Sequence, residues 1–234
     1  MTGSPIATMF DRIAPTYDAL NHLLSFQIDK VWRRKTARIV AQHHPANILD
    51  LATGTADLAI AMAKRNPQAR IIGIDISEKM LEIGKDKVIK HGFSQQIDLM
   101  TGDAAHLPFP DNHFDCVTVA FGVRNFEDLE TGLREIHRVT KQGGSVIILE
   151  FSMPERFPVK QVYHFYFKRL LPSIGRRVSK DPEAYRYLPE SVERFPKPSA
   201  FQSLLSAVGL RASQTIPITC GIATLFHAEK ASMQ

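Results

Sequence analysis

The sequence predicts an α/β fold: a mostly parallel seven-stranded sheet covered by helices, finished by an antiparallel hairpin near the C-terminus. Three observations lead there. From residue 47 onward, short apolar runs alternate with helix-like segments, the pattern of a parallel sheet covered on both faces. Three successive runs carry an aspartate at or just beyond their ends: Asp50, Asp75 and Asp103. The last runs, "LRASQTIPI" and "GIATLFHAEK", are strand-like and separated only by a short turn.

Residues 1–45 are read as helical, because "YDALNHLLSFQIDKVWRRKTARIV" spaces its apolar residues by threes and fours. "NILDLA" is the first strand, and Asp57–Arg65 the helix after it. "RIIGID" (70–75) is the second strand. Ser77 then caps a helix running through Lys90, which Gly92 stops. "QIDLMTG" (96–102) and "FDCVTVAF" (114–121) follow. The helix Asp128–Thr140 sets Leu129, Leu133, Ile136 and Val139 on one face, and Gly143-Gly144 turns the chain into the strand "SVIILEF". Residues 152–198 break the alternation, being aromatic, basic and dotted with prolines. A helix near Ser199–Val208 precedes the final hairpin.

Composition narrows the functional classes. A chain of 234 residues buries roughly 70% of its unfolded surface and needs no staples. Cys116 and Cys220 are too few for a disulfide framework and lack zinc-ligand spacing, so no metal is expected; both are read as small buried hydrophobes. No apolar run approaches 18 residues and none precedes Met9-Phe10 as a leader, which predicts a cytoplasmic protein. The net charge of +5 is compatible with anionic partners and selects none.

The loop after the first strand, "LATGTAD", is the best-placed loop for a ligand in such a sheet. It has only Gly54 of the three glycines that the dinucleotide fingerprint requires, with Ala52 and Asp57 in the other two places. Asp50 and Asp57 set negative charge where a pyrophosphate would sit, and they suit a ligand carrying ammonium and sulfonium charge. S-adenosyl-L-methionine is such a ligand. Asp75 is placed to accept from both ribose hydroxyls, and Asp103 from the adenine amino group. A nicotinamide oxidoreductase is disfavoured on the same grounds.

The stretches "FDRIAPTYDALNHLLS", "LDLATGTADLA", "GIDISEKML", "GDAAHLPFPDNHFDCVTVAFGVRNF", "REIHRVTKQGGSVIILEFSMP" and "AYRYLPESVERFP" closely resemble the UbiE/MenG family, over about residues 10 to 230. These are S-adenosylmethionine-dependent C-methyltransferases of menaquinone and ubiquinone biosynthesis. The resemblance implies the class I methyltransferase (Rossmann-like) fold as a single domain. Its parts would be an N-terminal helical cap (1–45), a cofactor-binding core (46–152), a substrate lid (153–198), and a C-terminal helix and hairpin (199–234). It also implies cofactor contacts at Thr55, Asp75, Asp103 and Ala104. Some members carry serine where this chain has Ala120, which is left out of the site.

Methylating a ring carbon needs positioning, help with deprotonation, and a counter-charge for the phenolate that forms. Arg124 and Asn125, in "FGVRN" after the fourth strand, fall on the loop facing the cofactor's reactive end. Arginine stays charged, so it holds a phenolate or a polarised water rather than acting as the base. The resemblance points to a water-assisted role for this pair; the alternative is a loop staple from Arg124 to Glu127 or Asp128. Tyr17, Asp18, His22, Tyr185 and Tyr187 are weaker candidates, read as packing or lid residues, and His137 as a surface residue.

The expected acceptor is demethylmenaquinol, with the ubiquinone-pathway benzoquinol second or additional. Residues 156–180 hold seven Lys or Arg, five aromatics and no acid, a composition suited either to an anionic bilayer surface or to a solvated lid helix. A nucleic-acid methyltransferase is the rival that shares this basic segment. No [DN]-P-P-[FY] tetrapeptide follows the fourth strand, and Cys116 lies within that strand, away from any loop, so no nucleic-acid partner is expected. A silent cofactor-binding scaffold is countered by the intact FGVRN loop. A homo-oligomer is compatible with all of this.

Overall fold

The computed structural model describes residues 4–166, 169 and 182–231. Its centre is a sheet in the order β3-β2-β1-β4-β5-β7-β6. The strands are β1 (Asn47–Leu51), β2 (Arg70–Asp75), β3 (Ile97–Thr101), β4 (Phe114–Ala120), β5 (Thr140–Phe151), β6 (Leu210–Ile218) and β7 (Ala223–Lys230). The first five pair in parallel. β7 runs antiparallel between β5 and β6, with Ile147 opposite His227, so the final hairpin extends one edge. Strand order reverses between β1 and β4, which makes the space beyond their carboxyl ends the switch point where such sheets hold ligands.

Successive side chains of a strand face opposite sides. Leu49, Val117, Val146 and Phe226 accordingly pack on α5 (Leu129–Val139) and a late helix, Pro198–Ala207. Their neighbours Ile48, Cys116, Ile147 and Leu225 face α2 (Ile28–Gln42) and α3 (Asp57–Ala63). α1 (Pro5–Leu24) lies over α4 (Glu78–Lys90) through Met9, Ile13 and Met80. After β5 come α6 (Val159–Phe165), α7 (Pro182–Arg194) and α8, the Pro198–Ala207 helix.

Ser77 caps α4 by accepting from the Met80 amide at 3.2 Å, and Gly92 ends that helix at φ 76°. Asp128 caps α5 in the same way through Thr131.

Two expectations are corrected. Gly143-Gly144 does not precede β5 as a turn. The strand begins at Thr140, opposite Phe114, and residues 141–144 bulge out before Ser145 pairs with Cys116. Cys220 is exposed where burial was expected, because it sits at φ 57° in the 3₁₀ turn joining β6 to β7; Cys116 is buried. His137 is half-buried, with its ring against Gly209. Among the described residues no helix is long and apolar enough to cross a membrane, and no cluster suits a metal ion.

Candidate active site

The turn after β1 alternates backbone handedness: Ala52, Gly54 and Ala56 stand at φ 51°, 56° and 64°. A non-glycine residue in that region costs roughly 1–2 kcal/mol, so the surroundings must hold the turn in place. They do so through the neighbouring loop, because the Thr53 amide donates to the Ile74 carbonyl at 3.0 Å and the Gly54 amide to Asp75 at 2.7 Å. The loop after β4 closes from the other side, where a Cβ on Gly122 would fall 2.3 Å from that of Ala52.

Asp50 lies behind this turn. Its carboxylate accepts from Thr53 at 2.7 Å and Thr118 at 2.6 Å and is 1% exposed. Burial pushes its pKa up to about 6, against the two hydroxyls, which favour the charged form. Asp75 accepts from the Gly54 and Ser77 amides, one on each oxygen, and burial raises its pKa as well. A carboxylate has about four lone-pair sites, so two remain for hydroxyl donors.

A small cavity of about 90 Å³ opens at the switch point. Its walls come from the β1 turn, Asp75, Asp103, Ala104, Ala120 and Asn125, and α1 roofs it with Phe10 and Tyr17. Ser4, just ahead of α1, and two polar residues within it, each seven positions on, clasp the loops below. Ser4 donates to Glu127, Ser77 Oγ donates to Asp11 at 2.6 Å, and Thr55 Oγ donates to Asp18 at 2.7 Å. Lys87 joins the last contact and also pairs with Asp57.

A second, mainly apolar cavity of about 460 Å³ abuts the first; Phe10, Tyr17 and Phe121 line both. Arg124, in the 3₁₀ turn Val123–Asn125, lies in its wall, with its side chain 6% exposed. Nη1 pairs with Glu150 at 2.7 Å and also donates to the Phe121 carbonyl; Nε donates to Ser191 at 3.3 Å. Burial raises the pKa of Glu150 and Arg124 opposes that shift, which leaves a shielded ion pair. Asn125 Oδ1 accepts from the Tyr187 hydroxyl at 2.9 Å.

The structure thus brings Asp75, Asp103, Ala104 and Asn125 to one cavity, with Arg124 across its partition. Asp50 and Thr55 stand behind the wall: Asp50 is bound to two threonines and Thr55 to Asp18. Asp57, counted among the acids of the opening turn, is neutralised by Lys87 instead of facing the ligand space. Arg124 is not stapled to Glu127 or Asp128; its anion is Glu150, which the sequence reading passed over. The signal was available, since a carboxylate near the end of "SVIILEF" is the same cue that marked Asp50 and Asp75. Tyr17 lines both cavities, whereas the side chain of Tyr185 lies outside the described residues.

The ubiE/COQ5 methyltransferase family matches residues 2–230. The chain belongs to this family. It is 46% identical over 225 residues to a demethylmenaquinone methyltransferase of Bacteroides fragilis, covering 96% of this chain and 92% of that one. It is 45% identical over 229 residues to the ubiquinone/menaquinone biosynthesis C-methyltransferase UbiE of Geotalea daltonii, covering 97% of each. A demethylmenaquinone methyltransferase of Thermus thermophilus is 44% identical over 222 residues, covering 95% of this chain and all of the relative.

Among solved structures, the [4+2]-cyclase SpnF superposes with a TM-score of 0.71 at 17% identity, covering 97% and 96% of the two chains. A SAM-dependent methyltransferase from Aquifex aeolicus gives 0.61 at 18% identity, covering 83% and 89%. These two likenesses speak to the fold, which this family member shares.

Proposed function

We propose that this family member transfers a methyl group from S-adenosyl-L-methionine to a ring carbon of a polyprenylated hydroquinone. Demethylmenaquinol is the acceptor and menaquinol the product. C-methylation of 2-polyprenyl-6-methoxy-1,4-benzoquinol is the second reading, alone or in addition, favoured by relatives named for both pathways. The observation that carries the proposal is the junction of an acid-walled cavity with a large apolar one, Arg124 and Asn125 standing on the partition.

The donor set of the small cavity fits S-adenosyl-L-methionine: carboxylates and backbone groups, and among the described residues no cation in its wall to hold a phosphate. Asp75 takes the ribose hydroxyls on its two remaining acceptor sites, Asp103 the adenine amino group, and Ala104 packs beside the base. Asp50 and Thr55 act from behind, fixing the turn through Thr53 and tying it to α1. When bound, this cofactor supplies an electrophilic methyl group.

The acceptor becomes nucleophilic at carbon as a ring hydroxyl gives up its proton. Arg124 offers Nη2 to that oxygen, since Glu150, Phe121 and Ser191 occupy its Nη1 and Nε. Asn125, fixed by Tyr187, orients a water or ring oxygen alongside. Holding both partners in line is worth ~7–11 kcal/mol, and countering the phenolate in a water-poor cavity is the second large contribution.

The isoprenoid tail leaves through the mouth of the large cavity, where Phe26 and Val162 are 76% and 66% exposed. Phe157 and Phe165 are exposed nearby on or beside α6, with Arg156 and Lys160. This part of the basic segment favours peripheral contact with an anionic membrane at the cytoplasmic face. The remainder, including Lys168, Arg176 and Arg177, lies outside the described residues. Quinone profiling of cells lacking the gene tests the assignment. Accumulated demethylmenaquinone is expected, accumulated methoxybenzoquinone selects the second acceptor, and an unaltered profile removes the quinone role.

A further inference from the structure

α1 and α2 meet at a tight turn in which Phe26 and Gln27 stand at φ 51° and 61°. The turn gathers a polar cluster into the wall of the apolar cavity. Asp29, 3% exposed, accepts from Ser25 Oγ at 2.6 Å, lies 2.8 Å from His22 Nδ1, and pairs with Arg33 Nη1. Burial works against the charged carboxylate, yet Ser25, Arg33 and His22 together hold its pKa below the ordinary value. Asp29 therefore stays ionised and keeps the Arg33 fork aimed.

Arg33 lines the same cavity as Arg124, with its side chain 12% exposed and its guanidinium 5.4 Å from the centre of the Phe121 ring. Among the described residues its Nε and Nη2 meet no acceptor. An ion pair this deep repays its desolvation poorly as a stabilising device. Unspent donors in an apolar wall instead suit an acceptor oxygen brought by a ligand. Both guanidiniums meet at Phe121, Arg33 over its ring and Arg124 on its carbonyl, and both line the cavity that Tyr17 also lines, so they bound one region of it.

We propose that Arg33, held by Asp29 and Ser25, is a second oxygen-recognition group of the acceptor cavity. It takes the ring oxygen para to the one at Arg124. A ring anchored at one oxygen can pivot in its own plane; a ring anchored at both presents one edge to the methyl donor. Arg33 is thus a positioning and specificity residue, a role that rests on the hydroquinol reading given above.

Trp32 is the only tryptophan, is buried, and stands in the cavity wall 5.9 Å from Phe121, so its fluorescence reports occupancy without turnover. The full chain is titrated under reducing conditions with a short-tailed 1,4-naphthohydroquinone and with the same compound lacking one hydroxyl. Wild type is expected to bind the dihydroxy compound at least tenfold more tightly, about 1.4 kcal/mol. Arg33→Gln is expected to weaken the dihydroxy compound at least tenfold and leave the monohydroxy compound within twofold. Should the glutamine variant not fold, Arg33→Lys, which keeps the charge beside Asp29 but loses the fork, is read for the same one-sided loss. Equal weakening of both ligands, or of neither, overturns the proposal. Absence of quenching by either compound in wild type overturns the hydroquinol reading itself, a result plainly distinct from equal weakening.

Discussion

Arg124 is held by the Glu150 carboxylate, the Phe121 carbonyl, the Ser191 hydroxyl and the face of Phe151, 5.3 Å away. That restraint fixes a planar fork, which lysine cannot reproduce. Arg124→Lys is therefore expected to keep cofactor affinity within twofold and lower turnover at least tenfold, about 1.4 kcal/mol in the barrier; steady-state kinetics with wild-type turnover would remove Arg124 from the chemistry. Asp50 makes a different, pH-dependent prediction. Its folded pKa of about 6 exceeds the ordinary 3.8, so between those values the native state binds more protons than the unfolded one. Stability falls as pH rises through that window and stays lower above it. Asp50→Asn should gain on wild type from pH 4 to pH 7 by about 2 kcal/mol, part of the effect lying below pH 4. Urea unfolding at both pH values checks this, and a pH-independent difference contradicts it. At this scale Asp75 and Asp103 were legible as acids at strand ends. Glu150 carries the same strand-end cue, but its pairing with Arg124, like that of Thr118 with Asp50, joins strands that only the sheet order brings alongside.

Among the elements, α1 is the one that roofs the acid-walled cavity. The volume of that cavity, about 90 Å³, is below the ~300 Å³ of the smaller ligand pockets, so we expect an adenosine-sized ligand to displace this helix. The contacts it would break are the clasps at Ser4, Asp11 and Asp18, all half-buried. Partly solvated contacts of this kind contribute little to stability. Asp18→Ala is expected to change unfolding free energy by less than about 1 kcal/mol while speeding cofactor association and dissociation at least fivefold by stopped-flow; unchanged rates would mean that α1 is no gate. The sequence indicated a helical N-terminal region but gave no sign of the clasp. Asp18 reads as a packing or lid residue, and Ser4 and Asp11 carry no cue until Glu127, Ser77 and Thr55 are folded beneath the three. The β5 bulge was hidden for a similar reason: paired glycines read locally as a turn, and only the register with β4 shows the strand starting earlier.

For the molecule as a whole, the doubly wound sheet was readable because strand and helix periods alternate from residue 47 to 151, broken only where the third strand leads to the fourth without a helix. The segment after β5 was not, since its aromatic and basic residues serve a cavity mouth as well as they would a solvated helix. Phe26 and Val162 are exposed in that mouth, and Phe157, Phe165, Arg156 and Lys160 are exposed on or beside α6, which lines it. Each cation near an anionic surface contributes about 1 kcal/mol, so reversing the charge of both should weaken sedimentation with phosphatidylserine vesicles at least tenfold; unchanged sedimentation would count against this face. The central claim, however, is carbon methylation of a hydroquinol at the junction of two cavities. It is met most directly by incubating the purified chain with methyl-labelled S-adenosyl-L-methionine and a short-tailed demethylmenaquinol, then locating the label by mass spectrometry and NMR. Label on the vacant ring carbon is the predicted result. Label on a ring oxygen, or none on the acceptor while the cofactor still binds, would contradict it.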